Sequence, residues 1–390
     1  MPLACYRVTA RVVAETPLHI GSGRRTGVIK RTLPFIPGSF LRGAIGVSII
    51  KSVCKKDEPL KVHEDCEFFE ECEYANLYGE EFGKASRIFF RYAYPVHLAC
   101  GGVYLPAPKT MFRCENPQCG KLYDSIAPPV RCEVDGCGMP LKPVRGFVCA
   151  GCGNVAEAPV PVSRVVLTAL DRRYRSAAQI PTPEGGGKAG TLHALDVIGA
   201  GSSFFLEVIV DRRAVQYLSL VENALRRGLP DEGIGGSKSR GLGKVRVEDL
   251  VVREVTVKDL EKRAEEIDTR CFSVRLVSPM VLGGGKPLDR SALLEAARRA
   301  YSWCFREGKP KLPEVELVGK MFSYEPYSGW SLKDGRRRRV EASVSPGSVF
   351  QFSCGENDET LALALSALEL YAVGSYKPHG CGQVVIEGAR

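Results

Sequence analysis

Apolar and polar positions alternate from Tyr6 to Ala14, the period of a half-buried strand, and the run ends in a turn and glycine loop, Thr16-Pro-Leu-His-Ile-Gly-Ser-Gly23. After Leu33-Pro-Phe-Ile-Pro-Gly-Ser39 the period changes: Leu41, Ala44, Ile45, Ser48 and Ile49 recur at i, i+3, i+4, i+7 and i+8, one face of a helix that Ser39 is placed to cap. The amides of Gly38, Ser39 and Phe40, with Arg42, would then stand at a helix N-terminus, where unpaired N–H groups favour an anion. An ordinary Pro-Gly entry turn explains the same residues. Further strands are expected near Ser86 to Tyr92, Val162 to Leu170 and Ser203 to Val210, and a charged, helical connector over Glu248 to Asp268.

The pattern occurs twice. Ser273 to Gly285 matches Arg11 to Gly23 in register, a strand followed by x-Pro-apolar-x-apolar-Gly-x-Gly. Val221 to Val247 reads as helix, glycine loop and strand, and Leu361 to Ile386 does the same, with Leu361, Leu365, Leu368 and Ala372 at helical spacing. Pro17 and Gly241 are 224 positions apart (241 − 17), Pro279 and Gly380 only 101 (380 − 279), so the first copy holds about 120 extra residues. A unit of roughly 100 residues with this element order fits an α+β, ferredoxin-like (RRM-like) βαββαβ sandwich. The expected division is 1–254 for the first unit, including a cysteine-rich insertion at 100–160 and a mobile loop at 171–190, then a linker at 255–270 and a second unit at 271–390.

Composition adds a soluble character: 44% apolar and 25% charged residues in 390. No apolar run approaches a membrane span, and Met1-Pro-Leu-Ala-Cys5 lacks the basic start and apolar core of a signal peptide, so a cytoplasmic location without membrane contact is expected. In that compartment 15 cysteines point to metal rather than to disulfides. Cys114-x4-Cys119, Cys132-x4-Cys137 and Cys149-x2-Cys152 each close with a glycine (Gly120, Gly138, Gly153), as metal knuckles do. Cys114, Cys119, Cys132 and Cys137 are the expected ligands of a structural zinc, with Cys149 and Cys152 as alternates; an iron–sulfur cluster fits the spacing less well. Cys54, His63, Cys66 and Cys72 form a looser, second candidate group, or are plain small hydrophobes.

The net charge of +9 suits a polyanionic partner, and between Arg11 and Arg42 six basic residues face one acid. The densest glycine segment, Gly233 to Lys244, interleaves five glycines with Lys238, Arg240 and Lys244. It matches neither a Walker loop nor a dinucleotide-binding turn. It reads as a loop for a phosphate backbone, or as a helix-to-strand turn with solvated charges. Arg172 to Lys188 is a polar excursion carrying Arg173, Tyr174 and Arg175, and Arg336 to Arg339 lies near Tyr324, Tyr327 and Trp330, a mixture of cations and rings that single-stranded RNA favours. None of the five histidines sits in a metalloprotease motif or a nucleophile elbow. His19 could act as a general acid/base on a ribose 2′-hydroxyl, or simply bond a phosphate or a carbonyl.

Pro17-Leu-His-Ile-Gly-Ser-Gly23, Phe35-Ile-Pro-Gly-Ser-Phe-Leu-Arg-Gly43, Leu77-Tyr-Gly79 with Ser86-Arg-Ile-Phe-Phe90, and Gly235-Gly-Ser-Lys-Ser-Arg-Gly-Leu-Gly243 occur in the order in which they recur in the RAMP superfamily. The chain resembles that family over nearly its whole length. With Gly329-Trp-Ser-Leu-Lys-Asp-Gly and Pro346-Gly-Ser-Val-Phe-Gln-Phe352 it looks most like the two-domain subunit of type III CRISPR effector complexes, best known from subtype D. The resemblance implies two tandem RAMP domains, the first with a zinc-binding insertion, in a non-catalytic subunit. Such a subunit holds the 5′ repeat-derived handle of crRNA beside the large polymerase/cyclase-like subunit and the backbone RAMP subunits, with target RNA near the guide 5′ end. RNA contacts are then expected at His19, Gly21, Ser22, Arg24, Arg25, Gly38, Ser39, Arg42, Arg172, Arg173, Tyr174, Arg175, Gly235, Gly236, Ser237, Lys238, Ser239, Arg240 and Gly241. No catalytic residue is expected. The alternatives are a metal-independent endoribonuclease of the same superfamily that cuts pre-crRNA through His19, and a protein-docking scaffold with structural zinc. The second glycine loop, Ser375-Tyr-Lys-Pro-His-Gly-Cys381, is less basic than the family's usual form, which puts RNA contacts by the second copy in doubt.

Overall fold

The computed structural model describes residues 2–56, 66–79, 84–171, 173–181, 188–190, 192–331 and 335–389. Strand β1 (Leu3–Ala14) buries Tyr6, Val8, Ala10, Val12 and Ala14 on one face, the alternation its sequence predicts. β2 (Gly21–Thr26) and β3 (Ile29–Thr32) lead to helix α1 (Gly38–Val53), then β4 (Ile88–Phe90). After the cysteine-rich segment come β5 (Val162–Leu167), β6 (His193–Ile198) and β7 (Ser203–Asp211). A helical run follows, made of Arg212–Tyr217, Leu218–Asn223, Ala224–Gly228 and Leu229–Glu232, and then β8 (Val245–Thr256).

The first antiparallel sheet has the order β8-β1-β7-β4. α1 and the helical run cover one of its faces: Leu41, Ile45 and Ile49 join Val221, Leu225 and Leu229 against Val8, Val12, Val208 and Phe90. Of the three inner strands expected, 86–92 and 203–210 lie in this sheet and 162–170 does not. β5 instead pairs with β6 in a separate sheet, β5-β6-β3-β2, and this pairing leaves its Val162 and Val166 facing solvent. The connector also differs from expectation. Its first part continues β8 along β1 as far as Thr256, and only α2 (Val257–Glu265) is helical, started by a capping box between Thr256 and Asp259.

The second half repeats the order. β9 (Phe272–Leu276), α3 (Arg290–Phe305), β10 (Glu316–Met321), β11 (Val349–Ser353), α4 (Glu359–Tyr371) and β12 (Val384–Gly388) build a sheet β10-β11-β9-β12. Counted within each sheet the strands stand 4-1-3-2 in the first and 2-3-1-4 in the second, one order read from opposite edges. Cys5 and Ile209 on the uncovered face of the first sheet belong to the same buried cluster as Leu293, Ala300 and Cys304 of α3 and Leu365 and Leu368 of α4. Trp303 completes the joint, edge-on to Phe89 at 5.8 Å and donating its Nε1–H to Asp211 at 2.9 Å. Among the described residues no helix is long and apolar enough to cross a membrane.

The two glycine loops agree residue for residue at an offset of 139 (374 − 235). Gly233, Gly235, Ser237, Gly241 and Gly243 have φ of 65°, 90°, 62°, 83° and 90°; Ala372, Gly374, Tyr376, Gly380 and Gly382 have 71°, 71°, 57°, 84° and 73°. Each loop donates the same backbone hydrogen bonds to its own strand-end turn: Gly243 N–H to Pro17 and Gly236 N–H to His19, and Gly382 N–H to Pro279 and Ser375 N–H to Val281. The tips differ in fate. Lys238 to Gly241 are exposed, whereas Pro378, His379 and Gly380 are buried against the start of α1 and β4. A Cβ on Gly38 would lie 2.4 Å from the Phe90 carbonyl oxygen and 2.6 Å from that of His379, and one on Gly380 would lie 2.5 Å from Phe90 O.

Two outcomes follow from this joint. Gly38→Ala forces backbone atoms of both halves apart and is expected to cost about 1–3 kcal/mol in urea unfolding, whereas Gly241→Ala, whose added carbon meets nothing within 4 Å, costs only the strain of its positive φ. Burial, together with the nearby charges of Arg42 and Arg338, depresses His379 from its ordinary 6.5 to about 2. The unfolded chain therefore binds a proton that the folded one refuses. Neutral His379 contributes its stability in full above its unfolded pKa and loses it as pH falls, by about 1.4 kcal/mol per pH unit. His379→Gln should flatten the stability decline between about pH 7 and pH 5 by about 2 kcal/mol in the same titration.

Candidate nucleic-acid interface and metal centres

β1 ends at a turn that presents His19, 7% exposed, under the first glycine loop. Its Nδ1 lies 2.8 Å from the Asp196 carbonyl oxygen, which can only accept, so Nδ1 carries the proton. Nε2 is then left to accept, or to donate when the ring is charged, and it faces Gly21. Gly235 and Gly236 lie so close to His19 that a Cβ on Gly235 would be 2.5 Å from its carbonyl oxygen. Ser22 donates to the Arg31 carbonyl at 3.2 Å.

The neighbouring sheet supplies cations. Asp196 on β6, 5% exposed, accepts from Arg31 on β3 at 3.0 Å and from Arg164 on β5 at 2.9 Å. Burial raises its carboxyl, but the hydrogen bonds from Arg164 and Arg31 outweigh that and hold it below the ordinary carboxylate range. One buried carboxylate thus fixes two guanidinium groups whose side chains remain 44% and 45% exposed. At the start of β6, His193 Nε2 accepts from Arg240 Nη1 at 3.0 Å, which ties the tip of the glycine loop to this sheet. The stem of Lys238 lies over Gly233 and Gly243, and partial desolvation lowers its ammonium pKa against the pull of Glu232. Ser239, Arg240 and Gly241 face solvent, with Ser237 half-buried at the bend.

The structure thus brings His19, Gly21, Ser22 and 235–241 together. Arg24 and Arg25 lie in β2 beside them. Arg173, Tyr174 and Arg175 are exposed on the excursion that leaves after β5 and returns to β6. Arg172 and His63 lie outside the described residues. Gly38, Ser39 and Arg42 are a different case. Pro37, not Ser39, precedes α1, and no side chain caps it. Gly38 is covered by the second loop, and Arg42 is only 4% exposed. Its guanidinium stacks over Tyr78 at 4.4 Å and donates to the Tyr78 carbonyl at 3.2 Å, while Tyr78 O–H donates back to the Arg42 carbonyl. Gly38 and Arg42 thus join elements and are not open to a phosphate, whereas Ser39 is half-buried. Sequence reasoning did not assign Arg164, Asp196 or His193 to the site, and it counted Arg31 only within the basic run between Arg11 and Arg42.

The cysteines form two groups, each able to hold a metal ion, with all four ligand atoms within 4.8 Å of one another. In the first, Cys114 and Cys137 are 3.4 Å apart and Cys119 and Cys132 are 3.7 Å apart. The hydroxyl of Tyr123 brings Cys132 down to about 7, while burial pushes Cys114 up to about 12. The second group is His97, Cys100, Cys149 and Cys152. Cys149 and Cys152 are therefore not alternates for the first site but half of another. Cys54, Cys66 and Cys72 form no such group among the described residues. His97 and Cys100 carried a signal: His97-Leu-Ala-Cys100-Gly101 has the spacing of Cys149-Ala-Gly-Cys152-Gly153.

No curated protein matches the chain. Among solved structures it is similar to a Cas6 product complex, at 10% identity over 98% of this chain and 99% of that one with a TM-score of 0.41. It is also similar to a chain of the type III-B Cmr-beta complex bound to cognate target RNA, at 13% identity over 64% of this chain and 61% of that one with a TM-score of 0.34. A second Cas6 product complex matches at 19% identity over 52% of this chain and 80% of that one, with a TM-score of 0.34. The RAMP superfamily model matches residues 11–246, from the first strand through the first glycine loop and more than half of the chain. Those residues include each of the four motifs singled out in the first half, and the chain belongs to the RAMP superfamily.

Proposed function

We propose that this chain is a non-catalytic RNA-binding subunit of a type III CRISPR interference complex, holding the 5′ repeat-derived handle of crRNA next to the large subunit. In this reading it is two tandem ferredoxin-like RAMP domains, 1–254 and 271–390, the first carrying a zinc-binding insertion. The observation that carries the proposal is the unequal fate of the duplicated loop. The first copy turns Ser239, Arg240 and Gly241 outward beside the Arg31–Asp196–Arg164 group, and the second is spent on joining the halves. A side-chain-poor bend next to fixed guanidinium groups suits a ribose-phosphate strand, which demands charge and close backbone approach without a sequence code. Zinc at Cys114, Cys119, Cys132 and Cys137 would have a closed shell of four thiolates and a structural role.

His19 bears on the endoribonuclease alternative. Attack by a 2′-hydroxyl needs a base at its proton, and the His19 ring is almost wholly buried with Nδ1 held by Asp196, which suits positioning of the loop. Repeat RNA incubated with the purified protein without added metal is therefore expected to stay intact. Cleavage that His19→Ala abolishes would make the chain the nuclease instead. Arg240→Glu and Arg164→Glu should each weaken binding of handle-bearing crRNA severalfold and reduce the salt dependence of log K by about 0.7 for each phosphate that is no longer neutralised. Fluorescence titrations at several salt concentrations read both quantities. Unchanged affinity in both variants would refute this binding surface, and no affinity in the parent chain would favour the scaffold role.

A further inference from the structure

The root of the cysteine-rich segment carries two short knuckles of the same form. In His97-Leu-Ala-Cys100-Gly101 the Gly101 N–H donates to the His97 carbonyl at 2.8 Å, and in Cys149-Ala-Gly-Cys152-Gly153 the Gly153 N–H donates to the Cys149 carbonyl at 2.8 Å. Gly101 and Gly153 have φ of 73° and 72°. The knuckles face each other: His97 Nδ1 lies 3.1 Å from Cys100 Sγ and 3.3 Å from Cys152 Sγ, and Cys100 Sγ lies 3.4 Å from Cys149 Sγ. A zinc tetrahedron with bonds of about 2.3 Å to sulfur and about 2.0 Å to nitrogen has edges of about 3.8 Å and about 3.5 Å, so these three separations need to open by only a few tenths of an ångström, and all four ligand atoms lie within 4.8 Å of one another. The outer shell is also in place. Tyr104 packs on the His97 ring at 5.0 Å and accepts from Asn154 at 2.9 Å, and the Gly102 amide donates to Cys100 Sγ at 3.4 Å. Gly102 itself has no room for a side chain, since a Cβ would lie 2.7 Å from Cys149 Sγ.

From this arrangement we infer that His97, Cys100, Cys149 and Cys152 bind a second zinc ion, and that this ion is the clasp through which the cysteine-rich segment braces the two halves. Cys149 is 1% exposed and sits in a small aromatic core with Phe147, Tyr104 and Tyr94. Tyr94 O–H donates to the Val277 carbonyl across the joint. The strand Tyr104–Pro106, paired with Phe147–Cys149, continues the brace: Pro106 O accepts from Arg275 at 3.3 Å, and Lys109 N–H donates to Gly347 O at 2.8 Å. Closing the knuckles therefore fixes the strand pair that touches the second half. The inference is independent of RNA binding, and of whether the first cluster holds zinc.

Native mass spectrometry of the full chain with zinc as the only added metal tests it. The expected result is two zinc ions per chain, falling to one in Cys100→Ser/Cys152→Ser, two exposed ligands whose loss spares the aromatic core, and in Gly102→Ala, which keeps every ligand. Cys119→Ser/Cys137→Ser should also fall to one, so the two sites are counted separately. A single ion that survives Cys100→Ser/Cys152→Ser but not Cys119→Ser/Cys137→Ser would overturn the second site and leave the first. The opposite pattern would do the reverse. Hydrogen exchange reads the clasp: amides at 104–109 and 345–348 should exchange faster in Cys100→Ser/Cys152→Ser, while 111–114 stays unchanged. Equal exchange at 104–109 in variant and parent would overturn the clasp even with two ions bound. Should that double variant fail to fold, Gly102→Ala and Cys119→Ser/Cys137→Ser still decide: an ion count unchanged in Gly102→Ala together with no ion left in Cys119→Ser/Cys137→Ser is the refuting result.

Discussion

Two backbones meet where a single added carbon would not fit. Gly38 begins α1 in the first half, Gly380 ends the loop tip of the second, and between them run the carbonyls of Phe90 and His379. Such contacts cannot be softened by a rotamer change, because the atoms in the way belong to the main chain. The position of the second half therefore depends on residues chosen for having no side chain. Around this point the protein places the groups that tolerate burial there: Arg42 folded onto Tyr78, and a neutral His379 accepting from Arg338 at 3.4 Å.

That constraint explains why a duplicated loop is not used twice in the same way. Both copies keep the same dihedral angles and the same hydrogen bonds to the strand-end turn, so the bend itself is a property of glycine and local pairing. What differs is what stands in front of it. The second tip, Lys377-Pro378-His379, meets α1 and β4, and the amine of Lys377 is brought down to about 7 by desolvation over the Tyr371 ring. The first tip, with Arg240 bonded to His193, meets the side of an open sheet.

Much of this was legible from residue order. Period-two alternation located β1, helical spacing located α1 and α4, and the paired glycine segments revealed the repeat. Other features were hidden because they depend on distant partners. Nothing near Arg42 says that Tyr78 will take its guanidinium, so an arginine beside a helix start read as an anion ligand. Val162 to Leu170 has the apolar content of a core strand, and only its pairing with β6 sends it to another sheet. The cysteines able to hold a metal were recognised by type but grouped by nearness in sequence. Folding grouped them by space instead, with Cys100 and Cys149 of the second cluster 49 positions apart (149 − 100).

The pairing of β1 has a further consequence. Its neighbours are β7 and β8, so Cys5 waits for Asp211 on one side and Val255 on the other. A ribosome adding about 5–20 residues per second would need roughly 10–50 s to deliver them. During that interval the segment between β4 and β5 has already emerged in full, with its knuckles and short hairpins able to form locally. The cysteine-rich portion is therefore made before β1 has either partner, and the first sheet can close only after residues on both sides of that portion have emerged.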